Sequence, residues 1–466
     1  MGHNTGHQRT LLLSLTCYAK VVASCEHFFM PFEAIITYRL FTAFPIPSLA
    51  RIFMVSSLRV VITGVGIVSP LGDSLADFWS QLENGITGVG PVLRFDPSRF
   101  SCRLAAEVKP ATFSIREGSY DHEIKRAGKF AQYAVAAADN ALVDSQIEHG
   151  WEDAASSGLY LGASIGGLDK MESAVIRQES KGARKVSPYT ITSMLPNMAA
   201  SLIALRRGFM GSQYTISGAC ASGSQALGQA FQAIRSGQLS FALAGGTDGV
   251  LTPIAFSSFE AMRMLSPTRD PCLTPRPFDE DSDGIIIGEG AAFFALEEFA
   301  HAERRGARIY GEIKGYGTCS GGGRMALQST SDLIHCIKLA LSDARLRPSE
   351  IDCVYAQAAG IKQGDESELD AFQHLFSDDK GRPAIISIKA HIGHTFAASG
   401  PLNVAAAIGL FQGRKIPATR NLNSINAKYS DLSLRHHDDV KRVNHCLINT
   451  FGLGGINASL IISRCS

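Results

Sequence analysis

Ten cysteines are scattered through the 466 residues without one C-x-x-C pair or a Cys/His cluster at zinc-ligand spacing. Their scatter excludes a zinc ribbon, and in a chain this long it fits reduced thiols better than a disulfide-stapled scaffold. Net charge is also nearly missing. The formal value of +1 gives no overall field to gather nucleic acid or an anionic membrane. No low-complexity tract or linker separates one part of the chain from another. What remains is 45% hydrophobic and 19% charged, the profile of a globular chain and far from disorder. No metal or cofactor is expected from these residues, nor a nucleic-acid or integral membrane role, and the expected location is cytoplasmic.

The first 57 residues differ from the rest. Arg9 precedes a short apolar run, Leu11 to Leu15, but Lys20 interrupts it and Glu26 follows. Pro31, Glu33, Arg39, Pro45, Pro47 and Arg51 then break the next stretch, so neither a signal-peptide core nor an 18-residue span forms. Residues 1–57 read as a non-homologous extension. Either Met54 is the genuine start or the segment is an arm that touches a membrane.

From Arg59 the pattern becomes regular. RVVITGVGIVSP is a short β-branched run ending in Gly and Pro, a buried strand leading to a turn. Asp73 or Ser74 then caps a helix carrying Phe78 and Trp79. KFAQYAVAAADNALVDSQI has apolar residues at helical spacing. GLYLGASIGG and LSFALAGGTDGV close on glycines, as strands buried on both faces do. DGIIIGEGAAFFALEE reads as two strands joined around Gly288 to Gly290. A charged helix lies near Ala300 to Arg305. The order then recurs, with strands at RIYGEIKGYG, DCVYAQAAG, AIISIKA, HCLINTFG and ASLIISR, and helices at SDLIHCIKLALSDARL and after His394. Alternating strands and helices predict parallel sheet in a layered α/β fold, in two halves of similar plan, 58–305 and 306–466.

YTISGACASGSQALGQAFQAI carries the strongest chemical signal. A strand-like run ends in small residues, then Cys220, then the start of a small-residue helix. A cysteine there lies at the positive end of the helix dipole beside unpaired amides, which favours thiolate, and the same amides can receive an oxyanion. Ala219, Ala221, Ser222 and Gly223 leave room for a bulky acyl chain. A lone cysteine among small residues would otherwise read as a packing thiol.

This segment resembles the active-site stretch of the β-ketoacyl-acyl-carrier-protein synthases. Other segments resemble the family in its own order: RVVITGVGIVSPLG its first strand, SPYTITSMLPNMAAS its dimer face, RPFDEDSDGIIIGEGA the approach to its second half. IKAHIGHTFAASG resembles its lysine and second-histidine motif, and NTFGLGGINASL its C-terminal glycine-rich loop. The resemblance runs from Leu58 to the end. It implies a thiolase fold, two similar βαβαβ-type halves in a five-layered α-β-α-β-α arrangement. It also implies a mechanism: a cysteine accepts an acyl group, and two histidines hold a malonyl thioester while it loses carbon dioxide. Cys220 matches the nucleophile, His394 the second histidine and Lys389 the lysine. Acyl carrier protein is the implied partner, with Lys125, Arg126 and Lys129 as part of a docking face. A second ketosynthase-fold chain is the other, in a homodimer or heterodimer.

Three positions depart from the family. In VYAQAAGIKQGDESELD, Asp365 and Glu368 match an acidic pair, which sets Gln357 where the first histidine belongs. Asn403 stands where the family usually has a glutamate that pairs with the lysine. In the oxyanion and gating loop formed by Phe451, Leu453 and Gly454, Leu453 takes a position where a phenylalanine often gates the acyl pocket. The expected function is decarboxylative condensation on Cys220 with an eroded malonyl-handling half. The alternatives are a non-catalytic partner like the chain length factors, and an acyl-binding scaffold or thioesterase.

Overall fold

Val60–Val68 (β1) is a nine-residue run with no charge, and every residue in it is buried. A β-branched segment of this kind is stable only where both faces are covered, and here helices and strands of two halves cover it. The computed structural model describes residues 58–110, 113–147, 154–322, 325, 327–376, 382–434 and 442–465. The extension predicted over 1–57 lies outside the described residues.

Four more strands complete the first half's share of the large sheet: Ser157–Gly162 (β2), Gln213–Ile216 (β3), Phe241–Asp248 (β4) and Gly290–Glu298 (β5). The second half has Gly311–Ser320 (β6), Cys353–Tyr355 (β7), Ala384–Ile386 (β8), His445–Gly452 (β9) and Ile456–Ser463 (β10). Their spatial order is β3-β2-β4-β5-β1-β6-β10-β9-β7-β8. Read outward from the centre, both halves follow the same plan: first strand, fifth, fourth, second, third. The fourth, second and third strands of each half run parallel, and the fifth runs antiparallel between its neighbours. The halves join edge to edge where Val60–Ile62 of β1 pair with Gly311–Ile313 of β6.

Two helices, Ser222–Arg235 and Ser399–Phe411, touch strands of both halves and each other. They form the middle layer. All residues of Ser399–Phe411 are buried, as expected of a helix apolar all round. Lys129–Asp144 and Asn197–Arg207 cover the outer face of the first half, and Thr330–Ala344 and Lys362–Phe376 that of the second. The result is the five-layered thiolase arrangement. Close approach in the middle depends on Gly223, where an added Cβ would sit 2.1 Å from the Ala397 carbonyl.

Local expectations held with small shifts. Ser74, not Asp73, caps Leu75–Glu83, its Oγ accepting from the Asp77 N–H at 3.0 Å. Lys129–Asp144 stops three residues before the expected end. One reading fails: only Gly290–Glu298 of DGIIIGEGAAFFALEE is a strand. Ile285 and Ile287 make isolated bridges to Leu265 and His394 instead. The apolar run marks burial beneath the site rather than sheet. The eight described cysteines are free thiols. Among the described residues no helix is long and apolar enough to cross a membrane, and no group of three ligating side chains could hold a metal.

Candidate active site

β3 ends at Ile216, and the chain reaches its helix through Ser217 to Ala221. Ala219 takes φ 48°, a left-handed conformation that costs a residue with a Cβ on the order of 1–3 kcal/mol. Ser222 fastens the turn: its Oγ accepts from the Gly218 N–H at 2.9 Å and donates to the Ala219 carbonyl at 2.5 Å. Strain held in this way turns Cys220 toward the interior. Gly452 of β9 lies against the turn, and a Cβ there would come within 3.1 Å of the Cys220 nitrogen. The backbone N–H groups of Cys220 and Leu453 act on the sulfur in the direction that favours its thiolate.

His394 arrives from the second half, and the misread apolar run holds its backbone. Its N–H donates to the Ile286 carbonyl at 2.7 Å and its carbonyl accepts from the Gly288 N–H at 2.9 Å. The ring lies 4.6 Å from the Phe396 ring, nearly parallel. Nε2 is 3.1 Å from Cys220 Sγ, and Nδ1 is 3.2 Å from Ser399 Oγ. A hydroxyl can donate or accept, so Ser399 accommodates either neutral tautomer. Burial drives His394 well below the ordinary histidine range, with the Lys389 charge adding to it. The imidazole is neutral.

Gln357 follows β7. Its backbone N–H and that of Ala358 donate to Glu368 at 3.0 and 2.9 Å. Asp365 accepts from the N–H groups of Phe278, Ala359 and Gly360 at 2.9 to 3.1 Å. The acidic pair thus fixes the loop that carries Gln357. Lys389 is buried, and its Nζ donates to Gln357 Oε1 at 3.3 Å. Burial lowers Lys389 to about 8, against the pull of Glu368, Cys220 and Asp365. Burial likewise raises both carboxyls, while their N–H donors oppose it.

These groups meet in a cavity of about 350 Å³. Cys220, His394, Gln357, Asp365, Glu368, Phe451 and Leu453 line it, with Phe259, Met264, Ile361 and Phe396 as its main apolar walls. Three expected residues, Lys389, Gly454 and Asn403, stay outside its walls. Gly454 is exposed and donates its N–H to the Met325 carbonyl at 2.7 Å. Asn403 is buried but absent from the walls, and among the described residues its Nδ2 has no hydrogen-bond partner; Lys389 turns to Gln357 instead. The sequence context favours thiolate at Cys220, and burial works against it. Burial pushes the Cys220 thiol up to about 12, outweighing Lys389 and the two N–H donors.

Sequence reading missed Asp248. This buried carboxylate accepts from Ser164 Oγ at 2.5 Å, from the Ser164 and Ile165 N–H groups, and from the Ala397 N–H at 2.8 Å. It ties one wall of the cavity to the turn after His394. A lone acid ending an apolar strand was the available signal.

The family models decide the kinship: the β-ketoacyl synthase N-terminal domain matches residues 57–302 and the C-terminal domain 310–423. The chain belongs to the β-ketoacyl synthase family. Among its relatives, 3-oxoacyl-[acyl-carrier-protein] synthase 2 of Synechocystis is 33% identical over 409 residues, 87% of this chain and 98% of its own length. The Vibrio cholerae protein of the same name is 32% identical, covering 88% of this chain and all of its own. A β-ketoacyl synthase from Burkholderia phymatum superposes with a TM-score of 0.81 at 32% identity, over 88% of this chain and 100% of that one. The ishigamide ketosynthase/chain length factor gives 0.79 at 28% identity with the same coverage. Within that family the chain presents an amide, Gln357, to the cavity that also holds Cys220 and His394.

Proposed function

We propose that this chain is a condensing enzyme: Cys220 takes an acyl group from a carrier-protein thioester and joins it to a carrier-bound malonyl unit. The observation that supports this most is the 3.1 Å contact of Cys220 Sγ with His394 Nε2 inside a cavity with apolar walls. With the thiol at about 12, free ionisation at pH 7 costs about 7 kcal/mol. The proton therefore moves to His394 Nε2 as the sulfur attacks, and His394 returns it to the departing carrier thiol. The N–H groups of Cys220 and Leu453 receive the developing oxyanion.

In the second half-reaction, His394 and Gln357 hold the malonyl thioester carbonyl. The bond to the carboxylate breaks, carbon dioxide leaves, and its electron pair becomes the enolate. The enolate carbon attacks acyl-Cys220, the carbon–sulfur bond breaks, and the leaving sulfur takes up a proton from solvent. Losing an oxyanion donor costs about 10²–10³ in rate, so an amide that donates keeps most of what an imidazole would give. It moves no proton, and none is needed from it.

A second reading, a partner subunit resembling the chain length factors, is favoured by Gln357 itself and by the likeness to the ishigamide pair. Either role implies a second ketosynthase-fold chain and an acyl carrier protein; a type II polyketide ketosynthase structure with its carrier is a 26% identical neighbour. For carrier docking, Lys125 and Arg126 are exposed, whereas Lys129 is half-buried and donates to Gln132. A cytoplasmic location fits this chemistry. Incubation with acyl-carrier protein followed by intact-mass analysis tests the reading: the protein gains one acyl group and Cys220→Ala does not. No adduct would leave the partner role.

A further inference from the structure

Resting on that reading, we propose that Lys389 is a positioning residue that fixes the Gln357 amide, oxygen toward the lysine and Nε2 toward the cavity. A primary amide has two ends of nearly equal shape, one accepting and one donating, so its chemistry depends on which end faces the substrate. The fold positions the Gln357 backbone through Glu368 but leaves the side chain to its own partners. The Lys389 ammonium is such a partner. It carries three donors and no acceptor, so only the amide oxygen can face it, as the 3.3 Å contact of Nζ with Oε1 has it. The Nε2 donors are then left for the cavity that Gln357 lines with Cys220 and His394.

A neutral amine is different because its nitrogen has a lone pair. It can accept from Nε2, the amide can turn over, and Oε1 then faces the cavity, where it repels a developing enolate oxygen. The lock therefore holds while Lys389 is protonated and loosens as pH rises through its value of about 8. The groups facing Lys389 are Glu368 and Asp365 from one helix, Cys220 from the first half, and His394 beside it. In the acyl-enzyme Cys220 no longer titrates. His394 is already neutral, and the two carboxyls titrate below Lys389. The alkaline side of the condensation profile thus belongs to the lysine.

The test is single-turnover condensation from isolated acyl-enzyme with malonyl-carrier protein, from about pH 6 to about pH 9.5. The wild-type rate should fall above about pH 8. Lys389→Met should lower it by about 10²-fold at neutral pH, the scale of one misdirected oxyanion donor, and abolish the alkaline fall. Gln357→Met, similar in length and unable to donate, should do the same. The double variant should be no slower than Gln357→Met alone, because the lysine acts through the amide. Comparable melting temperatures exclude unfolding as the cause. A wild-type rate flat through pH 8, or additive losses in the double variant, would overturn the lock while leaving condensation standing. No condensation at any pH would overturn the functional reading and the lock with it.

Discussion

The thiol of Cys220 is neutral at rest because burial outweighs every nearby positive influence. A buried thiol raised to about 12 ionises only in alkali, so its alkylation should accelerate with pH across the whole range from about 7 to about 10. Iodoacetamide labelling followed by mass spectrometry measures this; a plateau near neutrality would mean a resident thiolate and contradict the account. Sequence made Cys220, His394 and Lys389 legible through their motifs, and the Asp365–Glu368 spacing set the register of Gln357. The Lys389–Gln357 contact was not legible, because no local rule links residues 32 apart, one after a strand and one opening a short helix. Nor was Ser399, which reads as an ordinary helix start until the His394 ring is seen beside it.

At the scale of elements, the site depends on two joints. Gly223 sets the spacing of the central helix against Ala397, three residues past His394. Gly223→Ala should therefore force backbone apart and destabilise by about 1–3 kcal/mol, read by denaturant midpoint; an unchanged midpoint would show that the contact yields freely. The helix Lys362–Phe376 is tied by Asp365 to the loop that carries Gln357. Asp365→Ala orphans three buried N–H groups, each costing about 1–3 kcal/mol, so the fold should lose about 3 kcal/mol or more. Asp365→Asn keeps an acceptor and should lose less; equal losses would deny the carboxylate this role. Strands that close on glycines, such as β2 and β4, were readable from their short apolar runs. Ile285–Gly288 misled for a physical reason. Burial of both faces looks the same in sequence whether the backbone pairs in a ladder or grips a neighbouring loop, as this segment grips His394.

At the scale of the whole molecule, the cavity exists only where the halves meet. Cys220 comes from the first, whereas Gln357, His394 and Leu453 come from the second. The repeated strand order was visible as a repeated succession of apolar runs, and the five layers followed from family resemblance. The edge-to-edge joint of β1 with β6 was not visible, since it consists of backbone bonds that any extended segment can make. The outermost strand β3 leaves Tyr214 half exposed, close in sequence to exposed Met210. An apolar sheet edge of that kind calls for a partner. The protein purified alone should thus run at twice its 49.9 kDa mass by light scattering, and a stable monomer would contradict a self-sufficient dimer.

An amide at 357 should still support carbon–carbon bond formation on Cys220. The most direct test is to mix isolated acyl-enzyme with malonyl-carrier protein and follow both species by intact mass. The acyl group should leave Cys220 and appear, with two added carbons, as a β-ketoacyl group on the carrier. An acyl-enzyme that persists while malonyl-carrier remains unchanged would contradict it.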